Sequence, residues 1–396
     1  MLDRDLTVDR FRAEVRRWIG DHLPEGWRHP VLPPVTPPGR QDPVRVEHSR
    51  GWQAILHEAR LAAPGWPEEH GGRSLDLARR LALAEELALA RAPAPIGFQG
   101  IDILGPTLIA HGDDEQRARF LPGIVSGEEI WCQGYSEPGA GSDLAALRTT
   151  AVRDSGKYVV NGQKVWTSFG DRATWCFLLA RTGAPDSRHR GISFFVVAMD
   201  TPGIEWRPLT EISGGVDFGE LFLDDVAIPE SQRIGPEGAG WKLAMASLHH
   251  ERLLASNVAH LKVRLDAVLD LVREAGARPA DRDRAAKLVA RFRGLEGIQS
   301  RALALALADD PGFATFASLL KLAGTELRCA LADLAVDLIG PAAAAATSLT
   351  GDEGRSTAAV WAHEAVQARG AVIYAGSSEI QRNILAERGL GLPKDA

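Results

Sequence analysis

The pattern of the sequence switches from helix-like to strand-like and back again, and these two switches limit the fold more than any other feature. Between about residues 126 and 238, short runs rich in apolar, aromatic and β-branched residues are separated by Gly, Asp and Pro. Four of them, residues 158–160, 176–180, 192–197 and 220–223, have the length and composition of antiparallel strands. Helical patterns lie on both sides, so the sequence predicts an α+β protein.

The regions on either side are predicted to be helical. Phe11, Val15, Trp18 and Ile19 indicate an amphipathic first helix, and residues 77–92 are strong helix formers. Five prolines within residues 31–45 predict an extended loop. Alanine-rich helices are expected around residues 284–308 and 313–339, with a loop over 342–354. The apolar stripe of one long helix is formed by Leu254, Val258, Leu261, Leu265, Val268 and Val272.

These patterns predict three domains. They are an N-terminal helical domain over residues 1–125, a middle β-barrel over 126–238 and a C-terminal helix bundle over 239–396. A length of 396 residues with 45% hydrophobic and 24% charged residues suits a water-soluble globular protein of this size.

Composition also narrows the partners and the location. A net charge of -7 argues against nucleic acid as the main partner. No apolar leader and no run of about 18 apolar residues is visible, so we expect a cytoplasmic protein without a membrane span. Cys132, Cys176 and Cys329 lack metal-ligand spacing, which predicts thiols and no metal site.

Two neighbouring segments carry the strongest functional signal. Residues 131–143 and 161–168 combine glycines, hydroxyls and a Trp-Thr-Ser run. Glycines allow backbone amides to approach a polar ligand, and the face of Trp166 can pack on a planar ring. These properties fit a flavin. The alternatives are a core tryptophan, one of ten in the chain, and turn roles for Ser136 and Ser142.

A second candidate segment lies near the C-terminus. Gly376 precedes Ser377 and Ser378, and Ser378 with Gln381 has the spacing of a capping box. A helix that starts there would direct free N–H groups at an anion. The alternative is a plain helix cap.

The motifs together resemble the acyl-CoA dehydrogenase family. Residues 63–72 and 111–122 are similar to its early motifs, residues 131–143 with 161–168 to its flavin segments, and residues 373–382 to its C-terminal motif. The resemblance covers nearly the whole chain in the right order. It implies FAD bound between barrel and bundle, an acyl-CoA substrate, and electron transfer to an electron-transfer flavoprotein.

The resemblance also implies roles for individual residues. Gln133, Ser136 and Ser168 would contact the isoalloxazine, with Trp166 packed on the ring. The remaining cofactor contacts would be Thr167, Ser377 and Glu379. The substrate contacts would be Ser142, Arg252, Tyr374, Ala375 and Gly376.

One departure from the family concerns the catalytic base. Many members carry a glutamate where this chain has Ala375, which accepts no proton. Glu251 lies three residues before Leu254 and continues the apolar stripe, where a carboxylate is costly unless paired or functional. Residues 248–254 resemble the branch whose glutamate lies on this helix. We therefore predict that Glu251 removes the α-proton while the β-hydride goes to the flavin; the alternative is that Glu251 only pairs with Arg252 or a neighbouring subunit.

A second departure concerns the distal part of FAD. The family's Arg-x-x-Phe-Gly run is replaced by residues 272–281, and its Gly-Gly loop by residues 340–343. The pattern resembles bacterial members that act on bulky acyl-CoA thioesters, so we expect a homotetramer or a heterotetramer with a paralogue. Three other functions stay open: a non-catalytic subunit, a carrier-protein thioester dehydrogenase, and a flavin monooxygenase or nitroalkane-type oxidase.

Overall fold

The computed structural model describes residues 6–35, 39, 42–245, 258–274, 276–346 and 356–393. The chain forms two compact units. The first comprises Met1–Val35, Leu75–Pro93 and Arg252–Ala396, and the second comprises Thr36–Ser74 and Ala94–Glu251.

The second unit is built around a sheet whose described strands run in the order β6-β7-β3-β2-β4-β5-β8, with β1 also paired to β4. Its neighbours are antiparallel, except that β4 runs parallel to β1 and, at a single register pair, to β2. The strands are β1 (Trp131–Gly134), β2 (Thr150–Asp154), β3 (Lys157–Ser168), β4 (Trp175–Arg181), β5 (Ile192–Ala198), β6 (Ile204–Leu209), β7 (Phe218–Pro229) and β8 (Arg233–Ile234).

Alternation along the strands builds the core of this unit. Successive side chains point to opposite faces, so Tyr158 and Val160 on β3 enter the core together, and Phe195 and Val197 on β5 do the same. Lys164 lies on the same inward phase of β3 and is fully buried. A charged residue therefore occupies a position that the strand pattern reserves for an apolar side chain.

The helices of the second unit are α2 (Pro43–Glu58), α4 (Gly105–His111) and α5 (Asp114–Ser126). Asp113 and Gln116 form a capping box at the start of α5. The Gln116 amide also donates to the carbonyls of Ser231 and Arg233, which fixes the helix to the sheet. The predicted loop over residues 31–45 is wrong at its end, because Pro43 is the first residue of α2, where a missing N–H is harmless.

The described part of the first unit contains helices and no strand. Leu261, Leu265 and Val268 of the apolar stripe are buried with Leu327 and Leu331 in one core. Its helices are α1 (Val8–His22), α3 (Leu77–Leu89), α6 (Val258–Glu274), α7 (Pro279–Leu307), α8 (Phe313–Ile339), α9 (Pro341–Ala344), α10 (Thr357–Ala371) and α11 (Ser378–Ile384).

A buried charge network links three of these helices. Glu364 on α10 accepts two hydrogen bonds each from Arg264 on α6 (2.7 and 3.1 Å) and Arg328 on α8 (2.6 and 3.0 Å). Burial opposes ionisation of Glu364, but the two guanidinium groups hold its pKa far below the usual range.

The α+β prediction is confirmed. The four predicted strands lie in β3, β4, β5 and β7, whereas the short strands β1, β2, β6 and β8 were not predicted. The loop predicted over 342–354 begins in α9, and residues 347–355 lie outside the described part. The three-domain boundaries stay a prediction. In the described part of the chain, no helix is both long and apolar enough to cross a membrane.

Candidate active site

The two segments that the sequence singled out lie side by side in the second unit. The Val165 N–H donates to the Ser136 carbonyl over 2.9 Å, and the Lys164 Nζ donates to the Tyr135 carbonyl over 3.1 Å. Gln133 lies on β1 opposite Phe177 of β4 and is half-buried, as is Ser136. The backbone therefore brings the Gln133–Ser136 stretch to the end of β3 that carries Trp166.

Trp166 is not a core residue, so that alternative is wrong. Its side chain is 60% exposed, and its backbone has a left-handed φ of 61°. The register between β3 and β7 shifts between Lys164 and Thr167, which places Trp166 in a bulge. Its ring meets Phe218 edge-on, with centroids 6.1 Å apart. A left-handed non-glycine residue costs about 1–3 kcal/mol, which makes this exposed ring a candidate ligand platform.

Hydroxyl groups flank the exposed ring. Thr167 is fully buried, and its Oγ1 has no hydrogen-bond partner within the described ranges. Ser168 ends β3 opposite Phe218 and is half-buried. An unpaired buried hydroxyl is uncommon in a finished protein interior. The set fits a ligand that combines a planar ring with a polar edge.

An ion pair holds these two segments together. Lys164 Nζ lies 2.8 Å from Glu137 Oε1, and Glu137 also accepts from the N–H groups of Arg148 (2.6 Å) and Thr149 (2.9 Å). Burial lowers the pKa of Lys164 to about 8, although Glu137 opposes this shift. Burial also acts to raise the pKa of Glu137, but Lys164 and the amide donors together lower it.

Ser142 is exposed in the loop that follows this ion pair. The neighbouring Asp143 pairs with Arg188 over 3.2 Å, and the chain then makes the short turn Leu144–Ala146. Ser142 therefore faces solvent on a loop that is tied down on its C-terminal side.

The C-terminal candidate segment belongs to the first unit. Ala375 and Gly376 both have left-handed backbones, with φ of 52° and 89°. Gln381 Nε2 donates to the Ala375 carbonyl over 3.1 Å, and Lys321 Nζ donates to the Gly376 carbonyl over 2.6 Å. A side chain at residue 376 would meet Gln381 Nε2 at 2.5 Å and would have to adopt a φ of 89°, so the turn favours glycine there. Tyr374 is about half exposed.

The capping box predicted from Ser378 and Gln381 is wrong. Ser377 is the N-cap, and its Oγ accepts from the Ile380 N–H over 3.4 Å. The buried Gln381 side chain instead turns back to the carbonyls that precede the helix. Glu379 is exposed, and its own N–H and the Ser377 side chain lower its pKa.

Glu251 and Arg252 lie outside the described residues, in the gap between residues 245 and 258. Leu254 of the predicted stripe lies there too. From Val258 onward the stripe is confirmed, because Val258, Leu261, Leu265 and Val268 are buried on α6.

The structure describes most of the residues that replace the family's distal cofactor segments. The link between α6 and α7 contains Arg278, which pairs with Asp281 over 2.8 Å at the start of α7. Gly340 has a φ of 69° and is followed by the short helix α9.

Several supporting residues escaped sequence reasoning. Lys164 had a usable signal, because it is a charge on the inward phase of a strand. Lys321 gave no such signal, and Gln381 was expected only in a capping box. Each donates to a carbonyl of a turn whose left-handed residues include an alanine, which the sequence does not reveal.

Known proteins resemble this chain over nearly its full length. Sequence profiles of the acyl-CoA dehydrogenase N-terminal, middle and C-terminal domains match residues 35–128, 132–226 and 238–390. The protein named acyl-CoA dehydrogenase IpdE1 of Mycobacterium tuberculosis is 41% identical over 397 residues, which cover 98% of this chain and 99% of that protein.

Solved structures agree. The Tcur3481–Tcur3483 steroid ACAD matches with a TM-score of 0.84 and 28% identity, over 99% of this chain and 100% of that one. The ChsE4–ChsE5 complex of Mycobacterium tuberculosis matches with a TM-score of 0.80 and 32% identity, over 98% of both chains. With three domain profiles in order and this identity over nearly its full length, the chain belongs to the acyl-CoA dehydrogenase family of oxidoreductases.

Proposed function

We propose that this protein catalyses FAD-dependent α,β-dehydrogenation of a bulky acyl-CoA thioester, giving a 2,3-enoyl-CoA. The observation that carries the proposal is the exposed Trp166 ring, held in a left-handed bulge beside Ser136. A steroid-like acyl group is the preferred substrate class, because structural relatives are described as a steroid ACAD.

The residues at this position fit a flavin. Trp166 offers an apolar face, while Gln133, Ser136 and Ser168 offer polar groups at its border, and Thr167 has a hydroxyl with no partner in the described part. Ser377 and Glu379 are proposed as further cofactor contacts. Bound FAD would supply the two-electron oxidising capacity that amino-acid side chains lack.

The chain's own residues would position the substrate and take its proton. Ala375 bears no acid, so Glu251 is proposed as the base for the α-proton, with Arg252 beside it. Among the described residues, the Ala375 N–H has no hydrogen-bond acceptor, which leaves it free to polarise a thioester carbonyl. Tyr374 and Gly376 would border the reacting carbons, and Ser142 would contact the CoA portion.

Electrons would leave to an electron-transfer flavoprotein, and the cytoplasm is the proposed location. We favour a tetramer, either of one chain or with a paralogue. The second arrangement is supported by relatives solved as two-component complexes and by the replaced Arg-x-x-Phe-Gly run. A non-catalytic partner subunit is therefore the second candidate function, favoured by the missing acid at Ala375.

Anaerobic flavin bleaching with straight, branched, aromatic and steroid-like acyl-CoA thioesters tests the proposal. Reduction by a bulky thioester, with the enoyl product found by mass spectrometry, is the expected result. A purified protein that takes up no flavin unless a paralogue is added would support the partner-subunit function instead.

A further inference from the structure

Arg181, the last residue of β4, is a buried cation held by backbone carbonyls. Its side chain donates to the carbonyls of Leu147 (3.1 Å), Ala145 (2.8 Å) and Arg188 (2.9 Å), and to Ser187 Oγ (3.2 Å). Only 7% of its surface is exposed. Within the described ranges no carboxylate forms an ion pair with it, so its guanidinium is held by these carbonyls and the Ser187 hydroxyl.

The acceptors come from two different loops. Ala145 and Leu147 follow Ser142, whereas Ser187 and Arg188 belong to the connection between β4 and β5. One guanidinium therefore fixes both loops to the end of a core strand. Its planar fork suits this role, because its donors point in several fixed directions at once.

A second contact between the same loops lies at the surface. Arg188 has a left-handed φ of 47°, and its guanidinium reaches the Asp143 carboxylate at 3.2 Å. Its carbonyl is turned inward to Arg181. Any side chain at Gly191 would collide with Ser187 Oγ, so the connecting loop has little room to shift. The geometry thus presents Ser142 and the exposed Arg188, His189 and Arg190 on one anchored pair of loops.

We propose that Arg181 is a positioning residue for the phosphate-bearing half of the thioester substrate. It acts by fixing the Ser142 loop and the basic row from Arg188 to Arg190, which suit a phosphorylated ligand. The inference rests on the proposed function, in which Ser142 contacts the CoA portion. It adds that recognition of this portion depends on a buried residue that touches no substrate.

Arg181→Lys tests the inference, because lysine keeps the charge but cannot bridge both loops. Calorimetric titration of the flavin-loaded protein with free CoA should show a Kd raised about tenfold, which is about 1.4 kcal/mol. In anaerobic bleaching, KM should rise for an acyl-CoA and stay constant for the same acyl group on pantetheine, with kcat changed less than about twofold. The matched control is Arg207→Lys, because Arg207 is an exposed arginine paired with Glu205. This control should change neither the Kd for CoA nor the KM for acyl-CoA.

Two results would overturn the inference. One is an unchanged Kd for CoA in folded Arg181→Lys protein, and the other is an equal loss with acyl-CoA and acyl-pantetheine, since a general structural defect predicts no selectivity. If Arg181→Lys does not fold, Ser187→Ala is the second variant, because it removes one hydrogen-bond acceptor of Arg181. It should raise the Kd for free CoA about two- to fivefold. An unchanged Kd for free CoA in this variant then refutes the inference. A different outcome separates the two proposals. If the wild-type protein binds CoA but none of the acyl-CoA thioesters reduces its flavin, the proposed function is refuted and the positioning role of Arg181 stands.

Discussion

Lys164 on β3 and Glu137 after β1 form a buried 2.8 Å ion pair, and each lies close in sequence to a residue proposed to hold the flavin. Glu137 directly follows Ser136, while Lys164 lies two positions before Trp166. Because Glu137 also accepts the N–H groups of Arg148 and Thr149, one carboxylate joins the first segment both to Lys164 and to the chain just before β2. We therefore expect the shape of the proposed flavin platform to depend on this ion pair.

Lys164→Met should unfold or strongly destabilise the second unit. The change leaves Glu137 buried without its cation, which typically costs about 3–5 kcal/mol. Denaturant unfolding followed by tryptophan fluorescence measures the loss, and flavin content should fall with it.

The matched control is Arg153→Met. Arg153 also pairs with a glutamate, Glu230, but its side chain is mostly exposed. Surface pairs contribute little, so stability and flavin content should stay near wild type. Equal effects of the two substitutions would show that the buried pair has no special role.

The sequence predicts the long elements of this fold better than its short ones. Strands β3, β4, β5 and β7 have at least seven residues each and strong apolar character, whereas β8 has two residues and β1 has four. Such short strands depend on the partner they pair with, which local sequence does not reveal.

The candidate site shows the same limit. The sequence motifs identified Trp166 and Ser136 as site residues, but the left-handed backbone of Trp166 is visible only in the structure. Nothing in the residue type predicts a left-handed Trp166 or Ala375, since both conformations are imposed by neighbouring strands and turns. Ser378 and Gln381 had the right spacing for a capping box, yet Gln381 binds the carbonyls of the preceding turn instead.

Trp166→Ala should weaken flavin binding while the protein stays folded. The side chain is largely exposed, so its truncation removes little packing from the core. Its loss removes the apolar face on which a planar ring would pack. Flavin fluorescence titration of the apoprotein measures the affinity, and thermal unfolding of the same apoprotein measures the stability.

Trp131→Ala provides the contrast. Trp131 is almost fully buried on β1 and stacks on Trp175 with centroids 5.4 Å apart. Truncating a core tryptophan should cost about 3–5 kcal/mol, whatever the flavin does. If Trp166→Ala binds FAD as tightly as wild type, the platform lies elsewhere.

The charge network of the first unit should make this protein sensitive to acid. Burial and the nearby Arg264 and Arg328 lower the pKa of His260 from 6.5 to about 3. Between these two values the folded protein binds fewer protons than the unfolded chain. The stability that neutral His260 contributes is therefore complete above pH 6.5 and is lost as the pH falls toward 3.

His260→Gln should flatten this part of the pH profile. Each pH unit below 6.5 costs the wild type up to about 1.4 kcal/mol through this group, and the variant should escape that cost. Denaturant unfolding at pH 7, 6, 5 and 4 measures the difference. Parallel profiles for wild type and His260→Gln would contradict the expected titration.

Glu251→Gln should bind FAD and substrate normally and lose most flavin reduction. Glutamine keeps the size and much of the hydrogen bonding but removes the basic oxygen. General-base catalysis contributes roughly 10²–10⁴-fold, so anaerobic stopped-flow reduction should slow by about that factor. Arg264 and Glu364 lie outside the proposed chemistry, so a loss of the same size on changing either in a protein that stays folded would argue against a special role for Glu251.

The double change Glu251→Ala with Ala375→Glu tests whether the base can move between segments. The family resemblance implies that residues 251 and 375 both approach the α-carbon of the substrate, each from a different part of the chain. A glutamate at residue 375 would inherit the left-handed φ of 52°, which costs about 1–3 kcal/mol. The carbonyl contacts from Gln381 and Lys321 already hold this turn, so the new carboxylate should be tolerated and partial activity should return. If Glu251→Gln reduces its flavin at the wild-type rate, the base lies elsewhere, and the partner-subunit function gains most.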